Sequence, residues 1–227
     1  MPDYTAIFNE LRGSAAPTAA QRTGTADKQV SVLTQMESQL AADSAKHGAT
    51  SAQAHADLVA LQTTSNKWGA QSSTDLAVTK ASIQSSFLQL LGLNAKEDKL
   101  NTTGSGNLDQ SKYIKAVLDQ QLAHAKSVLA TDKTVGASKQ AIDLARQKVA
   151  DTESATKQVQ SHIDQLKSVA DQITKAKDTL SQQQALETAL GKVQSATKDI
   201  STVLGTGITI TKAPNTKATG SIKLSIS

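Results

Sequence analysis

The chain has 227 residues, of which 38% are apolar and only 2% aromatic, so it lacks the large side chains that fill a thick globular core. It contains no cysteine, which excludes disulfides and cysteine-ligated metals. Its net charge is +4, divided as −2 over residues 1–110 and +6 over the remainder, which is too mild for the dense basic stripe of most nucleic-acid-binding proteins. The composition favours narrow seams between helices.

Residues 3–12 form a short amphipathic pattern, in which Tyr4, Ile7, Phe8 and Leu11 recur at helical spacing. The segment either folds back onto the helical body or docks its apolar face in a groove of a partner, and the pattern favours neither. We take residues 1–12 as a docking helix and those four residues as partner-binding. No basic region followed by an apolar stretch occurs here, so no signal peptide is expected.

Residues 13–26 are small and polar and contain Gly13, Pro17 and Gly24, which predicts a linker. Asp27 is the predicted N-cap of an elongated helical domain over residues 27–204. Gly48 is expected to break or soften its first helix, and a bend is expected near Trp68-Gly69. The seam of this first part is predicted to contain Val30, Leu33, Met36 (or Glu37), Leu40, Leu58 and Leu61.

A further helix is expected to end near Gly92, and residues 94–109 then predict a charged loop rich in Gly and Asn. Residues 131–138 should break the helix that follows this loop. The apolar positions of the helix before the loop are Leu76, Ile83, Phe87, Leu90 and Leu91. Those of the helix after it are Tyr113, Val117, Leu118, Leu122, Ala125 and Leu129.

The longest predicted helix covers residues 138–204 and follows a heptad pattern, with a change of phase near residues 182–184. Its length would be on the order of 100 Å. The predicted seam is Ile142, Val149, Thr152, Thr156, Val159, Ile163, Leu166, Ala170 and Ile173, followed by Leu186, Leu190, Val193, Thr197, Ile200 and Leu204.

Beyond Gly205 the apolar residues alternate with polar ones, which predicts a β-hairpin within residues 205–227 that pairs 207–212 with 220–226. Such a hairpin is marginal alone, so its apolar residues should need a covering surface. That surface is either the chain's own helices or, as we prefer, the strand edges of other chains. The partner-binding residues predicted here are Ile208, Ile210, Ile222, Leu224 and Ile226.

The predicted fold is therefore mainly α, an elongated long-helix hairpin or coiled-coil-like bundle with a short C-terminal β-hairpin. Only three prolines occur, and none lies between Thr18 and Ala213, which favours long helices. The densest apolar stretch, Phe87 to Leu93, is far shorter than the roughly twenty residues of a membrane span.

Candidate chemical sites are weak. The histidines His47, His55, His124 and His162 show no zinc-type spacing, and no serine lies in a nucleophile elbow. Gly104-Ser105-Gly106 lacks the lysine and the preceding strand of a phosphate-binding loop. We expect neither catalysis nor a bound metal or cofactor.

These features favour a structural component of a multi-subunit particle, because long helices rich in Ala, Ser, Thr and Gln accompany terminal docking segments. Internal, neck or tail proteins of bacteriophage virions have this kind of composition, so a virion protein is the leading hypothesis. Protein partners and a homo-oligomer are expected. The alternative is a coiled-coil adaptor that contacts nucleic acid or anionic lipid, and thus a membrane surface, through its basic C-terminal half.

Overall fold

The computed structural model describes residues 17–205, and four α-helices account for 92% of them. The helices are α1 (Ala19–His47), α2 (Ala52–Thr102), α3 (Leu108–Thr134) and α4 (Lys139–Gly205). The predicted mainly helical fold is thereby confirmed. No strand occurs within residues 17–205, and the strands predicted at 207–212 and 220–226 lie outside the described residues, as does the predicted docking helix at 1–12.

Helix α1 begins at Ala19, inside the segment predicted as a linker. Thr18 caps it: the Thr18 hydroxyl accepts a hydrogen bond from the backbone N–H of Gln21 at 3.3 Å, and the Gln21 side-chain oxygen accepts one from the backbone N–H of Thr18 at 2.8 Å. This capping box satisfies two of the free backbone donors at the helix start. The predicted cap at Asp27 is therefore wrong, and so is the linker over 19–26. The helix also tolerates Gly24, at a cost of about 1 kcal/mol.

Helix α2 runs without interruption from Ala52 to Thr102, although the sequence pattern predicts a bend at Trp68-Gly69, an end near Gly92 and a loop from residue 94. The predicted end and loop are therefore wrong, and the helix has no break at Trp68-Gly69. Residues 95–100 are mostly good helix formers, and Leu93 and Leu100 are partly buried, so packing continues the helix past Gly92. Gly69 lies against α4, where an added Cβ would be 3.1 Å from the Thr197 hydroxyl oxygen.

Only a short loop, residues 103–107, separates α2 from α3. Gly104 and Gly106 have φ angles of +64° and +84°, which side-chain-bearing residues rarely adopt. Asn107 then caps α3, because its side chain accepts a hydrogen bond from the backbone N–H of Gln110 at 2.9 Å. The loop predicted over 94–109 is therefore restricted to its second half.

Helices α3 and α4 agree more closely with the prediction. The turn between them includes Gly136, and α4 matches the predicted range of 138–204 to within one residue. Among the predicted seam residues of α4, only Ala170 is exposed. Val169 is buried instead, so Ile163, Leu166 and Val169 follow one another at three-residue steps, and Ala176 and Ala189 are buried as well. Around the predicted change of phase, Gln183 is partly buried, and its side-chain oxygen has no hydrogen-bond partner within the described part of the chain.

The chain divides into two compact units. The first, called here the three-helix unit, contains α1, the part of α2 up to Ser85 and the part of α4 from Leu180. Within it α2 is antiparallel to α4, because the Ser65 hydroxyl donates to the Thr197 carbonyl at 3.2 Å and Lys80 lies 4.0 Å from Glu187. Its buried core consists of Ala26, Val32, Leu33, Met36, Leu61, Trp68, Leu186, Ala189, Leu190, Val193 and Ile200.

The second unit, called here the middle unit, covers Ser86–Thr179 and contains the end of α2, all of α3 and the first part of α4. Lys126 of α3 lies 2.8 Å from Glu153 of α4. Few of its seam side chains are fully buried, since leucines such as Leu118, Leu122 and Leu129 remain partly exposed. Its buried residues are Ser111, Ala125, Ile163, Leu166, Val169, Ile173 and Ala176.

Gly92 gives a prediction that separates helix propensity from packing. No atom lies within 4 Å of a Cβ added at Gly92, so Gly92→Ala should raise the free energy of unfolding by about 0.5–1 kcal/mol. Gly69→Ala is the matched control, because its Cβ would meet Thr197 at 3.1 Å and the gain should be smaller or absent. Urea denaturation followed by circular dichroism measures both, and equal gains would contradict the close contact at Gly69.

Candidate interaction surfaces

Exposed apolar side chains are concentrated in the middle unit. Of the eleven large hydrophobic residues that are exposed among the described residues, eight lie between Ser86 and Thr179. Scattered exposed hydrophobics are ordinary, but contiguous ones mark interaction surfaces. The eight are Phe87, Leu88, Leu91, Tyr113, Ile114, Val128, Val135 and Leu144.

Phe87, Leu88 and Leu91 lie together on α2 and form what we call the α2 patch. They are 51%, 67% and 49% exposed, respectively. The seam of this part of α2 passes instead through Ile83, Leu90, Leu93 and Leu100, which are partly buried. At about 100° per residue, Leu88 lies on the side of the helix opposite this seam, whereas Phe87 and Leu91 lie between that side and the seam, which agrees with their exposure of about one half. Their predicted place in the seam is wrong.

Tyr113 corrects the predicted seam of α3 in the same way, since it is 71% exposed. The most deeply buried residues of α3 are instead the small Ser111 and Ala125. The Ser111 hydroxyl lies 2.9 Å from that of Ser105 and donates to the carbonyl oxygen of Gly106 at 3.2 Å, so it packs against the loop before α3. Tyr113 therefore belongs to the surface of the middle unit.

The partner-binding residues predicted from the sequence lie outside the described residues, so they stay predictions. They are Tyr4, Ile7, Phe8, Leu11, Ile208, Ile210, Ile222, Leu224 and Ile226. The sequence pattern does not predict the α2 patch, because it places two of the three residues, Phe87 and Leu91, in the seam. A signal was present: Ile83, Leu90 and Leu93 complete a heptad pattern that leaves Phe87 and Leu91 on another face.

Two open grooves occur among the described residues. One, of about 530 Å³, lies between α2 and α4 of the middle unit and combines Lys96 and Lys157 with Asp164. The other, of about 710 Å³, lies in the three-helix unit beside Gly69 and Thr197 and is lined mainly by small polar residues. The mixed charges of the first groove and the small hydroxyl-bearing residues of the second favour water rather than one class of ligand.

The charges of α4 alternate in sign. The helix contains nine basic and eight acidic residues, and several are paired or adjacent, as in Arg146 with Asp143 at 3.1 Å. Binding of a phosphate backbone depends on basic side chains gathered on one face. Helix α4 thus offers little support for the nucleic-acid alternative.

Two carboxyl groups of the three-helix unit face each other where α1 and α2 are joined. The carboxyls of Asp43 and Asp57 are within hydrogen-bonding reach of each other, and Asp57 is only 9% exposed. Gln53 donates to Oδ1 of Asp57 at 3.2 Å, whereas Oδ2 is buried without a hydrogen-bond partner within the described residues. Burial and, to a smaller extent, Asp43 raise the pKa of Asp57.

The pKa of Glu37 is also raised, first by partial burial and then by Asp199. Neither Glu37 nor Asp57 lines either groove described above. A general acid needs both a raised pKa and room for a substrate beside it. Neither raised pKa is therefore accompanied by one of the two grooves described above.

His162 is the histidine with a defined structural contact. Its Nε2 lies 2.9 Å from the carbonyl oxygen of Gly106, so Nε2–H donates to the loop between α2 and α3. His47, His55 and His124 are exposed. Among residues 17–205, no three His, Asp or Glu side chains come together as a metal site. None of the described helices has an apolar stretch long enough to cross a bilayer.

Comparison of the chain with protein-family models, with curated proteins and with solved structures finds no match.

Proposed function

We propose that this chain is a non-enzymatic structural component of a multi-subunit assembly, in which it contacts protein partners, including copies of itself. The observation that carries the proposal is the concentration of exposed apolar residues in the middle unit, whose helices are long and whose seams are shallow. Such a surface gains stability when another protein covers it. An assembly of the bacteriophage type, with the chain as an internal, neck or tail protein of the virion, is proposed from composition alone.

The terminal segments extend this proposal. The apolar face of residues 4–11 and the alternating apolar residues of 208–226 are proposed as further contact sites for other subunits. The three lysines Lys212, Lys217 and Lys223, with no acidic residue after Asp199, would suit an acidic neighbour.

The rival hypothesis is an adaptor that contacts nucleic acid or anionic lipid. The net charge of +6 beyond residue 110 is what supports it. Three of those six charges belong to Lys212, Lys217 and Lys223, and the alternating charges of α4 argue against a long basic face. We therefore keep it as the second candidate.

A direct comparison in solution distinguishes the two. Light scattering over a range of concentrations should give species heavier than the 23.7 kDa monomer, and duplex DNA and vesicles of anionic lipid should not be retained at moderate salt. Removal of residues 206–227 should reduce the mass of the largest species and leave the helical content unchanged. Binding to DNA or to vesicles that weakens steeply with salt would contradict the structural role and favour the adaptor.

A further inference from the structure

Two carboxyl groups meet where α1 and α2 are joined, in the segment of residues 39–57 that we call the hairpin junction. Asp43 lies near the end of α1 and Asp57 near the start of α2, and their carboxyls are within hydrogen-bonding reach of each other. Ionised carboxylates only accept hydrogen bonds, and they repel each other. A contact of this kind is therefore stable when one of the two carboxyls carries a proton.

The other hydrogen bonds of the pair leave one oxygen for that proton. Gln53 donates to Oδ1 of Asp57 at 3.2 Å, and Gln39 donates to Oδ2 of Asp43 at 2.8 Å. Oδ2 of Asp57 is buried, and no donor within the described residues reaches it. An ionised oxygen in this position is costly, whereas a protonated one becomes a donor to Asp43.

We infer that Asp43 and Asp57 share one proton and that this proton controls the hairpin junction, which is closed while the pair holds the proton and opens locally when both carboxyls are ionised. The proton is bound to Oδ2 of Asp57 and is donated to the carboxylate of Asp43. Ala54, which is 2% exposed, is the buried apolar residue of the junction that opening would uncover. This pH-sensitive contact is independent of the proposed assembly role.

The charges of α1 favour the proton on Asp57 rather than on Asp43. His47 and Lys46 lie close enough to Asp43 to stabilise its ionised form and lower its pKa. Asp57 is only 9% exposed, so its ionised form loses more hydration than that of Asp43, which is partly buried. The two carboxyls thus have different environments, and one proton is enough for both.

Few other charged groups lie near the junction in the described part of the three-helix unit. His55, the remaining titratable residue of the junction, is exposed. The last charged residue in the described part of α4 is Asp199, which adds to the effect of burial in raising the pKa of Glu37. The described groups that set the titration of the pair therefore lie on α1 and α2.

The shared proton gives the closed junction a maximum of stability between two pKa values. Burial and then Asp43 raise the pKa of Asp57, so the closed form is lost as pH rises through that pKa. Gln39 and then Asp57 lower the pKa of Asp43, so the closed form is also weakened as pH falls through that second value. Each unit by which the pKa of Asp57 is raised changes the opening equilibrium about tenfold.

The first test measures amide hydrogen exchange of the full chain by NMR between about pH 3 and about pH 8, corrected for the intrinsic effect of pH. Protection of the junction amides should be greatest at mildly acidic pH and should fall about tenfold or more towards neutral pH. The amides around Asp164 are the reference, because this exposed carboxyl accepts only from Gln160 among the hydrogen bonds described above. Junction protection that is constant or increases towards neutral pH would overturn the inference.

The second test separates a shared proton from burial alone, with carboxyl carbon resonances followed against pH. In the original chain both carboxyl carbons should report both titration steps. In Asp43→Asn the amide nitrogen can donate to Oδ2 of Asp57, so Asp57 should titrate at a lower pH than in the original chain. Asp57→Asn has no proton to lose, and its junction should stay protected at neutral pH.

Circular dichroism must show the same helical content for both variants. If Asp57 titrates at the same pH in Asp43→Asn as in the original chain, burial alone sets its pKa and the shared proton is excluded. Separate one-step titrations of Asp43 and Asp57 in the original chain would exclude it as well.

Discussion

Replacing Trp68 with alanine is expected to lower the free energy of unfolding of the three-helix unit by about 3–5 kcal/mol. Trp68 is 3% exposed and lies in the core with Leu33, Leu61 and Leu190, so its removal leaves a cavity lined by residues of three helices. Alanine favours the helix more than tryptophan does, so the loss measures packing rather than propensity. Since the whole stability of a small unit is about 5–15 kcal/mol, this one change should remove a large part of it.

Phe87→Ala is the matched control, because it removes an aromatic ring from the same helix. Phe87 is 51% exposed, and its loss should cost under about 1 kcal/mol when measured at a chain concentration low enough to keep the protein monomeric. Urea denaturation followed by circular dichroism gives both values. Similar losses for the two variants would contradict the different burial of the two rings.

Replacing Asp57 with asparagine is expected to raise the free energy of unfolding at neutral pH by about 1–3 kcal/mol. The buried Oδ2 of Asp57 has no hydrogen-bond partner within the described residues and lies near a second carboxylate, Asp43. An amide nitrogen in its place can donate to Asp43, while the remaining oxygen still accepts from Gln53. The substitution thus removes a buried charge and adds a hydrogen bond.

The gain should depend on pH. The pKa of Asp57 is raised above its ordinary value of 3.8, so its contribution to stability is complete below that value and is lost as pH rises through the raised pKa. A hydrogen bond from Gln39, followed by one from Asp57, lowers the pKa of Asp43, whose contribution is lost as pH falls through its lowered value. The advantage of Asp57→Asn should therefore be largest near neutral pH and should shrink towards about pH 4.

Asp164→Asn provides the control for this pair. Asp164 also accepts a hydrogen bond from a glutamine four residues earlier, since Gln160 donates to it at 2.9 Å, but it is exposed. Its replacement should change the free energy of unfolding by no more than about 0.5 kcal/mol at any pH. Urea denaturation at several pH values measures both variants, and a gain for Asp57→Asn that stays constant with pH would argue against the raised pKa of Asp57.

The sequence predicts the helices well where turn residues and apolar periodicity agree. Gly48 and Gly136 mark real breaks with positive φ angles, and α4 follows its heptad pattern almost to the predicted ends. At the start of α1 the local signals disagree, because Pro17 and Gly24 favour a linker whereas Thr18 and Gln21 form a capping box. The capping box determines where the helix begins.

The length of α2 and the exposure of the α2 patch could not be predicted for a different reason. Glycine weakens a helix by only about 1 kcal/mol, so packing decides whether Gly69 and Gly92 end it. Near Phe87 the helix has apolar residues on more than one face, and only its partner helix determines which face becomes the seam. That choice buries Leu90 partly and leaves Phe87 and Leu91 outside. The local sequence pattern is compatible with either apolar face of α2 in the seam. Packing against the neighbouring helices decides which of the two is buried.

The contact between His162 and Gly106 has a consequence for how the helices could slide. Heptad seams of similar small and aliphatic residues repeat, so shifting one helix by seven residues past another changes the packing energy little. A polar contact that occurs once cannot be repeated after such a shift. The Nε2–H of His162 donates to the carbonyl oxygen of Gly106, and the His162 ring would lie 3.0 Å from a Cβ added at Gly104. The hydrogen bond and the space beside Gly104 are therefore both matched at one axial position of α4. In the middle unit this contact distinguishes the native alignment of α4 from its displaced alternatives.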